Sequence, residues 1–386
     1  MSAASRGAAA AALAAAALAY LMAARRLRAR TLRCRIAPAT VERLLFGAST
    51  LAGFTYAPCD RETALAAVRR ALDLGIRAFD TAPHYGLGLS EARLGEALRL
   101  YAGDRPVRIW TKVGRYLLSR AVCDAAIAAG ELDREAVEWE NMCGHPGCIF
   151  PGTDPSLAEV ADFSALGAAR AHAGSTGRLQ LAAPVVLAGQ RVHDPDTSGR
   201  CDAALGRDGA VAELVRLRTE GHIGEVSIGC WSLEHTRRML RSCPAGTFGS
   251  VMLAGRWNLL DQSGYELLLE CQQRGVRVHN ASIFASGLLA GGTTYQNKEA
   301  PPEILSRAQQ WSALAAEYGT TLAAVALHFA LLPEVVELVA IGMRSSAEVE
   351  QNVALLEKCI DPRLWRDAQS QGLLPPNIAL PAVPRE

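Results

Sequence analysis

Between residues 44 and 358 short apolar runs alternate with amphipathic stretches, and this repeated alternation restricts the possible folds more than any single motif does. Strand-like runs fall at 44–48, 76–80, 107–112, 185–193, 223–229, 250–254, 276–282 and 336–341. Between them lie helix-like stretches at 61–74, 90–100, 165–179, 208–220, 233–241, 265–274, 305–318, 322–331 and 347–358. In the first of these, Leu65, Val68 and Leu72 share one face. Strands alternating with helices are the pattern of a parallel sheet joined by crossovers. Eight strands sum most naturally to an α/β fold of the (β/α)8 TIM-barrel type. A doubly wound sheet would need a glycine-rich fingerprint after the first strand, which Gly47-Ala48-Ser49-Thr50-Leu51-Ala52-Gly53 does not supply. At 386 residues and 50% hydrophobic content, the chain can bury a core of that size. The alternation stalls once, at 116–160, where glycine and proline cluster and no period is sustained. This stretch reads as an insertion over one mouth of the barrel, within a barrel body spanning 42–375, followed by a tail at 376–386.

Three polar residues stand at or just past consecutive strand ends. Asp80 closes the run Gly75-Ile76-Arg77-Ala78-Phe79, and Tyr85 follows in a loop that Pro83 and Gly86 keep from being helical. Lys112 ends the next run, Val107-Arg108-Ile109-Trp110-Thr111. A phenol, with an ordinary pKa of about 10, is a poor acid or base at neutral pH. A buried ammonium beside it favours phenolate, and a carboxylate keeps that ammonium charged and in place. Asp80, Tyr85 and Lys112 therefore read as one acid/base device. His193 ends the fourth run, so a barrel brings all four to the C-terminal mouth, where such folds carry their sites.

The wording around these residues resembles the aldo-keto reductase superfamily. Gly75-Ile76-Arg77-Ala78-Phe79-Asp80-Thr81-Ala82-Pro83-His84-Tyr85-Gly86 is similar to its first signature, and Thr111-Lys112-Val113-Gly114-Arg115 to the segment carrying its catalytic lysine. Val192-His193-Asp194-Pro195-Asp196 is similar to the strand end carrying its histidine, and 341–352 to its nucleotide-binding stretch. The resemblance implies catalytic roles for Asp80, Tyr85, Lys112 and His193. It implies an NAD or NADP cofactor, with Arg344 and Ser345 at the adenosine phosphate and Asn352 at adenine. Ser282, Gly287 and Leu288 match the segment along the pyrophosphate. Trp257 matches an aromatic position facing the mouth, although a core tryptophan reads equally well. Arg344 could pair with a 2′-phosphate, or be a solvated arginine at a helix start. Ala254, Cys230 and Trp231 stand where many relatives place carboxamide-holding side chains, leaving Ser232 as a displaced donor. The words Tyr85-Gly86-Leu87-Gly88-Leu89-Ser90-Glu91 and His193-Asp194-Pro195-Asp196 resemble the aldose 1-dehydrogenase branch most. The expected activity is hydride transfer between NAD(P) and a sugar or aldehyde, with aldose oxidation at C1 to a lactone first. Pyridoxal oxidation, broad aldehyde or ketone reduction, and cofactor sensing without catalysis are the alternatives.

Charge and composition add the setting. Forty basic and 39 acidic residues give a formal charge of +1, which gives no ground for a nucleic-acid partner. Residues 1–41, however, hold no acidic residue and seven arginines: Arg6, Arg25, Arg26, Arg28, Arg30, Arg33 and Arg35. Such a leader suits an organelle transit peptide. A signal anchor holding the body at the cytosolic face, which alone would bring in a membrane, and a segment without structure are the other readings. The ten cysteines form no framework, and Cys143-Gly144-His145-Pro146-Gly147-Cys148 lacks the second pair a structural zinc site uses, so no metal is expected.

Overall fold

The computed structural model describes residues 40–54, 57–180, 187–195, 197–296 and 298–381. Expectations attached to residues 1–39 lie outside the described residues. Eight strands close into a barrel: β1 (Leu44–Gly47), β2 (Ala78–Asp80), β3 (Arg108–Val113), β4 (Gly189–His193), β5 (Val226–Cys230), β6 (Ser250–Ala254), β7 (Arg277–Ala281) and β8 (Val336–Gly342). Each pairs in parallel with the next, and β8 returns to β1. The TIM-barrel expectation is thus met. Both faces of these strands are covered, which is why they read as apolar runs without a clean polar alternation.

The period of two decides which side chains enter the barrel. Phe46, Phe79, Ile109, Val192, Ile228 and Val251 belong to the large core shared with the helices, whereas Leu45, Ala78, Trp110, Met252 and Leu338 form a separate cluster in the interior. By the same parity Asp80, Lys112, Arg191 and His193 turn inward. Thr111 turns outward and donates to Glu91 Oε1 at 2.6 Å on helix Leu89–Tyr101. Lys112 and Arg191 are direct register partners across β3 and β4.

Helix limits follow their caps. Asp60 accepts the Thr63 N–H to start Arg61–Asp73, and Ser164 accepts the Gly167 N–H to start Ala165–Leu179. The expected bounds at 165–179, 250–254, 265–274 and 322–331 coincide with the elements formed. Several features go beyond the sequence pattern, among them a helix at Arg363–Ser370. A short helix, Ser198–Leu205, follows β4. Within the stalled stretch, Arg115–Ser119 pairs antiparallel with Leu157–Ala161, and a helix, Arg120–Ala128, sits between them. Two five-residue strands so far apart in sequence leave no local periodic trace. Among the described residues no single helix is long and apolar enough to cross a membrane.

Helices Leu89–Tyr101 and Ala165–Leu179 meet at Gly95. A Cβ there would lie 2.0 Å from the Leu179 carbonyl oxygen and 2.7 Å from its carbon, both backbone atoms that cannot rotate away. Gly177, by contrast, has nothing within 4 Å of the same added atom. Gly95→Ala is expected to destabilise by about 1–3 kcal/mol or more. Gly177→Ala is expected to be neutral or stabilising by about 0.4–1 kcal/mol. Urea unfolding of the two variants checks this; equal midpoints would remove the close approach from the account.

Candidate active site

Asp80 ends β2, Lys112 precedes the last residue of β3, and His193 ends β4, so the strand ends deliver three side chains to one rim. Tyr85 comes from the loop after β2. Lys112 Nζ donates to Asp80 Oδ1 at 2.5 Å and to the Thr81 carbonyl at 2.8 Å. The same ammonium lies 4.5 Å from the centroid of the Tyr85 ring. Tyr85 and His193 face each other edge-on with ring centroids 6.5 Å apart. The structure therefore brings together all four residues that the sequence singled out for acid/base work.

Their environment fixes their charge. Asp80 and Lys112 are only 3% and 2% exposed. Burial acts to raise the Asp80 carboxyl, yet Lys112 and Arg191 together hold it below the usual carboxylate range. Burial likewise acts to lower Lys112, and the charges of Asp80 and Tyr85 outweigh it, so the ammonium is stabilised. For Tyr85 the balance falls the other way. Burial raises its pKa, Lys112 opposes through charge and hydrogen bonding, and the net direction is up. Lys112 thus acts with the expected sign, but in the free pocket burial exceeds it. His193 is pushed well below its ordinary value by burial, then by Lys112, Arg115, His84 and Arg191, and is neutral at physiological pH. Its backbone carbonyl accepts from Arg115 at 3.0 Å, and its Nε2 lies 3.3 Å from Asp194 Oδ2.

The structure adds Arg191. Its Nε donates to Asp80 Oδ2 at 2.8 Å, one terminal nitrogen to Ser227 Oγ at 2.6 Å, and the other to His279 Nδ1 at 2.7 Å. A guanidinium only donates, so His279 Nδ1 accepts and its Nε2–H points to Glu337 Oε2, 3.3 Å away. One signal was available in the sequence: in Gln190-Arg191-Val192-His193 the arginine shares the parity of His193 on a strand with both faces covered. His84 is the other addition. Its Nδ1 lies 2.9 Å from Glu159 Oε2, and its ring is 6.0 Å from that of His193.

The residues matched to nucleotide binding lie on other loops of the same barrel. Ser282 follows β7 with φ of +56°, and Gly287 (φ +97°) precedes the turn Leu288–Ala290. Ser345 caps helix Ser346–Leu356 by accepting the Glu348 N–H, and Asn352 Nδ2 donates to the Glu348 carbonyl at 2.8 Å. Arg344 is engaged by Glu348, with Nε to Oε1 at 2.9 Å and its own backbone N–H to Oε2 at 2.7 Å. Trp257 differs from the mouth-facing reading. It is 1% exposed and stacked on Phe329 at 5.0 Å and on Tyr265 at 6.0 Å, so it packs as a core residue. Ser232 is committed to capping helix Leu233–Ser242 through the His235 N–H. Among the described residues no group of three or more His, Cys, Asp or Glu is placed to hold a metal.

These charge states set the response to acid. Glu337 is taken down to about 2, with burial opposing and hydrogen bonds from His279 and Arg108 prevailing, and Asp80 and Glu159 are also lowered. His193 and His279 are lowered as well, by burial first. In every case the unfolded chain binds a proton at higher pH than the folded one, so stability rises with pH. Unfolding free energy is expected to be full above about pH 7, to fall below about 6.5 as unfolded imidazoles protonate, and to fall again below about 4 as unfolded carboxyls do. Urea titrations at pH 7.5, 5.5 and 3.5 test the order; equal stability at 7.5 and 5.5 would refute the neutral-histidine assignment. Arg191→Met is expected to cost on the order of 3 kcal/mol or more by the same assay, because His279 and one oxygen of Asp80 lose their partner.

The family model described as Aldo/keto reductase family matches residues 43–143 and 191–370. Pyridoxal 4-dehydrogenase of Microbacterium luteolum is 33% identical over 348 residues, covering 87% of this chain and 95% of that protein. D-threo-aldose 1-dehydrogenase of a Pseudomonas species is 30% identical over 345 residues, covering 88% and 96%. Among solved structures, an aldo-keto reductase from Bacillus halodurans aligns with a TM-score of 0.62 at 21% identity, over 88% of this chain and 96% of that one. That likeness concerns the fold alone. With a closed eight-stranded barrel, an Asp80–Lys112 pair beside Tyr85, and a family match over most of its length, the chain belongs to the aldo/keto reductase family and is an NAD(P)-dependent oxidoreductase.

Proposed function

We propose that the chain oxidises an aldose at its anomeric carbon to the lactone, with Tyr85 as the group that exchanges the proton of the substrate oxygen. The single observation that carries this is the placement of the Tyr85 ring 4.5 Å from an ammonium that Asp80 holds charged. When bound, the nicotinamide accepts the hydride. Tyr85 takes the hydroxyl proton in its phenolate form, which Lys112 stabilises. Neutral His193 orients the same oxygen with an N–H and adds no charge. Asp80 touches no substrate in this reading; it keeps Lys112 ionised and fixed.

The residues suit the nucleotide. An 11-residue helix opens at Ser346, and its N-terminus with the Ser345 hydroxyl and Arg344 forms the donor set an anionic phosphate uses. Added atoms at Gly287 would meet nothing within 4 Å, leaving open space beside a backbone of positive φ. We assign Ser282, Gly287 and Leu288 to the diphosphate, Arg344 and Ser345 to the adenosine phosphate and Asn352 to adenine. Glu348 already holds Arg344, so a 2′-phosphate must displace a carboxylate to use it, whereas NAD need not. Relatives named for pyridoxal and for an aldose support an aldehyde or its cyclic hemiacetal as substrate. One observation favours the reverse direction as a second reading: burial keeps the Tyr85 phenol protonated, the form that donates to a carbonyl during reduction.

Initial rates for an aldose panel with NAD and NADP, set against simple aldehydes with NADH and NADPH, separate the two. Tyr85→Phe is expected to lower kcat by about 10²–10⁴-fold in either direction while nucleotide still binds by fluorescence titration. Undiminished turnover would remove Tyr85 from the reaction.

A further inference from the structure

The proton chemistry above leaves one polar arrangement at the mouth without a task. Glu159, on the strand Leu157–Ala161 that pairs outside the barrel, is fully buried. Its Oε2 receives both His84 Nδ1 and Asn141 Nδ2 at 2.9 Å, and its Oε1 has no partner among the described residues. Burial acts against ionisation here, but His84 and Arg115 prevail and the group is a carboxylate. A carboxylate only accepts, so His84 Nδ1 carries the hydrogen of this contact. That leaves Nε2 unengaged, on a side chain that remains 22% exposed and whose Nε2 has no hydrogen-bond partner among the described residues.

The place of this ring matters as much as its tautomer. It lies 6.2 Å from Tyr85 and 6.0 Å from His193, and edge-on to Phe150 at 5.9 Å. The rings of Tyr85, His84 and His193 are thus mutual neighbours, and Phe150 lies against both His84 and Tyr85. Holding a carboxylate away from water costs several kcal/mol unless its partners are well placed. An ordinary surface histidine needs no such support.

We propose that His84, oriented by Glu159, is a specificity-determining residue whose Nε2 forms a hydrogen bond with a hydroxyl on the carbon next to the reacting one. The substrate class is then 2-hydroxy aldehydes, of which aldoses are the extended members. This rests on Tyr85 being the proton-exchanging group, because the neighbouring carbon is placed relative to it.

The test compares kcat/KM for reduction of lactaldehyde and of propanal, which differ by that one hydroxyl, with NADH and NADPH. The wild-type protein is expected to prefer lactaldehyde, and His84→Phe, which keeps the ring and removes both nitrogens, to lose on the order of tenfold of that preference, chiefly through KM. No preference in the wild type, or the same ratio in His84→Phe, overturns the proposal. Should circular dichroism show His84→Phe unfolded, Glu159→Gln decides. It leaves the imidazole in place but frees its tautomer, and is expected to reduce the ratio; an unchanged ratio there overturns the proposal as well. The ratio is independent of the Tyr85 result. An active Tyr85→Phe defeats the proton-transfer assignment, whereas an unaltered ratio in the His84 and Glu159 variants defeats only this one.

Discussion

Asp80 stands between Lys112 and Arg191 with almost no access to water, and the two cations are tolerable there because it pairs with both. The two cations are register partners on adjacent strands, an arrangement that repels directly across the sheet. A carboxylate from a third strand, with one oxygen for each cation, converts that repulsion into two charge-assisted hydrogen bonds. The desolvation of three ions is offset only if their donors find acceptors, and here Lys112 also reaches the Thr81 carbonyl, and Arg191 also reaches Ser227 and His279. The network then continues through His279 to Glu337, which Arg108 and Arg277 also approach from strands β3 and β7. A continuous set of paired groups runs through the barrel and ends beneath Tyr85.

This continuity explains why the electrostatics at the mouth are uneven. Burial first, and then the cations around it, keep His193 neutral, while the one nearby phenol is left to a contest between burial and Lys112. Arg191 weakens the grip of Asp80 on Lys112 by taking its second oxygen. At the same time it adds a positive charge that disfavours protonation of His193. The interior therefore sets the proton chemistry of the rim from below, and the loops decide what reaches it.

Much of this was legible in the sequence because it is local. A strand with both faces covered shows as an apolar run, and a polar residue at its end, such as Asp80, Lys112 or His193, stands out against it. Convergence of those ends follows from barrel topology without any knowledge of distances. What stayed hidden depends on partners far apart in the chain. His84 gains its meaning from Glu159, 75 residues later, and Arg344 looks free until Glu348 closes on it one turn away. Trp257 could have faced either way, because only the neighbours Tyr265 and Phe329 decide between packing and exposure. The pairing of Arg115–Ser119 with Leu157–Ala161 was hidden for the same reason.

Backbone strain marks the same rim from a different direction. Among the described residues seven non-glycine positions have positive φ, and six of them, Leu87, Asp194, Ser282, Ala285, Ser286 and Gln296, lie in the loops that follow β2, β4 and β7. Each left-handed residue of this kind costs on the order of 1–2 kcal/mol, so their concentration is not a neutral outcome of loop closure. Asp194 illustrates what the strain accomplishes. Turned at φ +40° immediately after His193, its carboxylate accepts the Trp231 backbone N–H at 2.7 Å and ties the ends of β4 and β5 together. A relaxed extended residue there would carry the chain away from the mouth instead of across it. The regular, fully covered barrel provides the stability that this rim gives up, and a rim of strained, internally bonded loops is what allows groups from separate strands to hold fixed positions around one phenol.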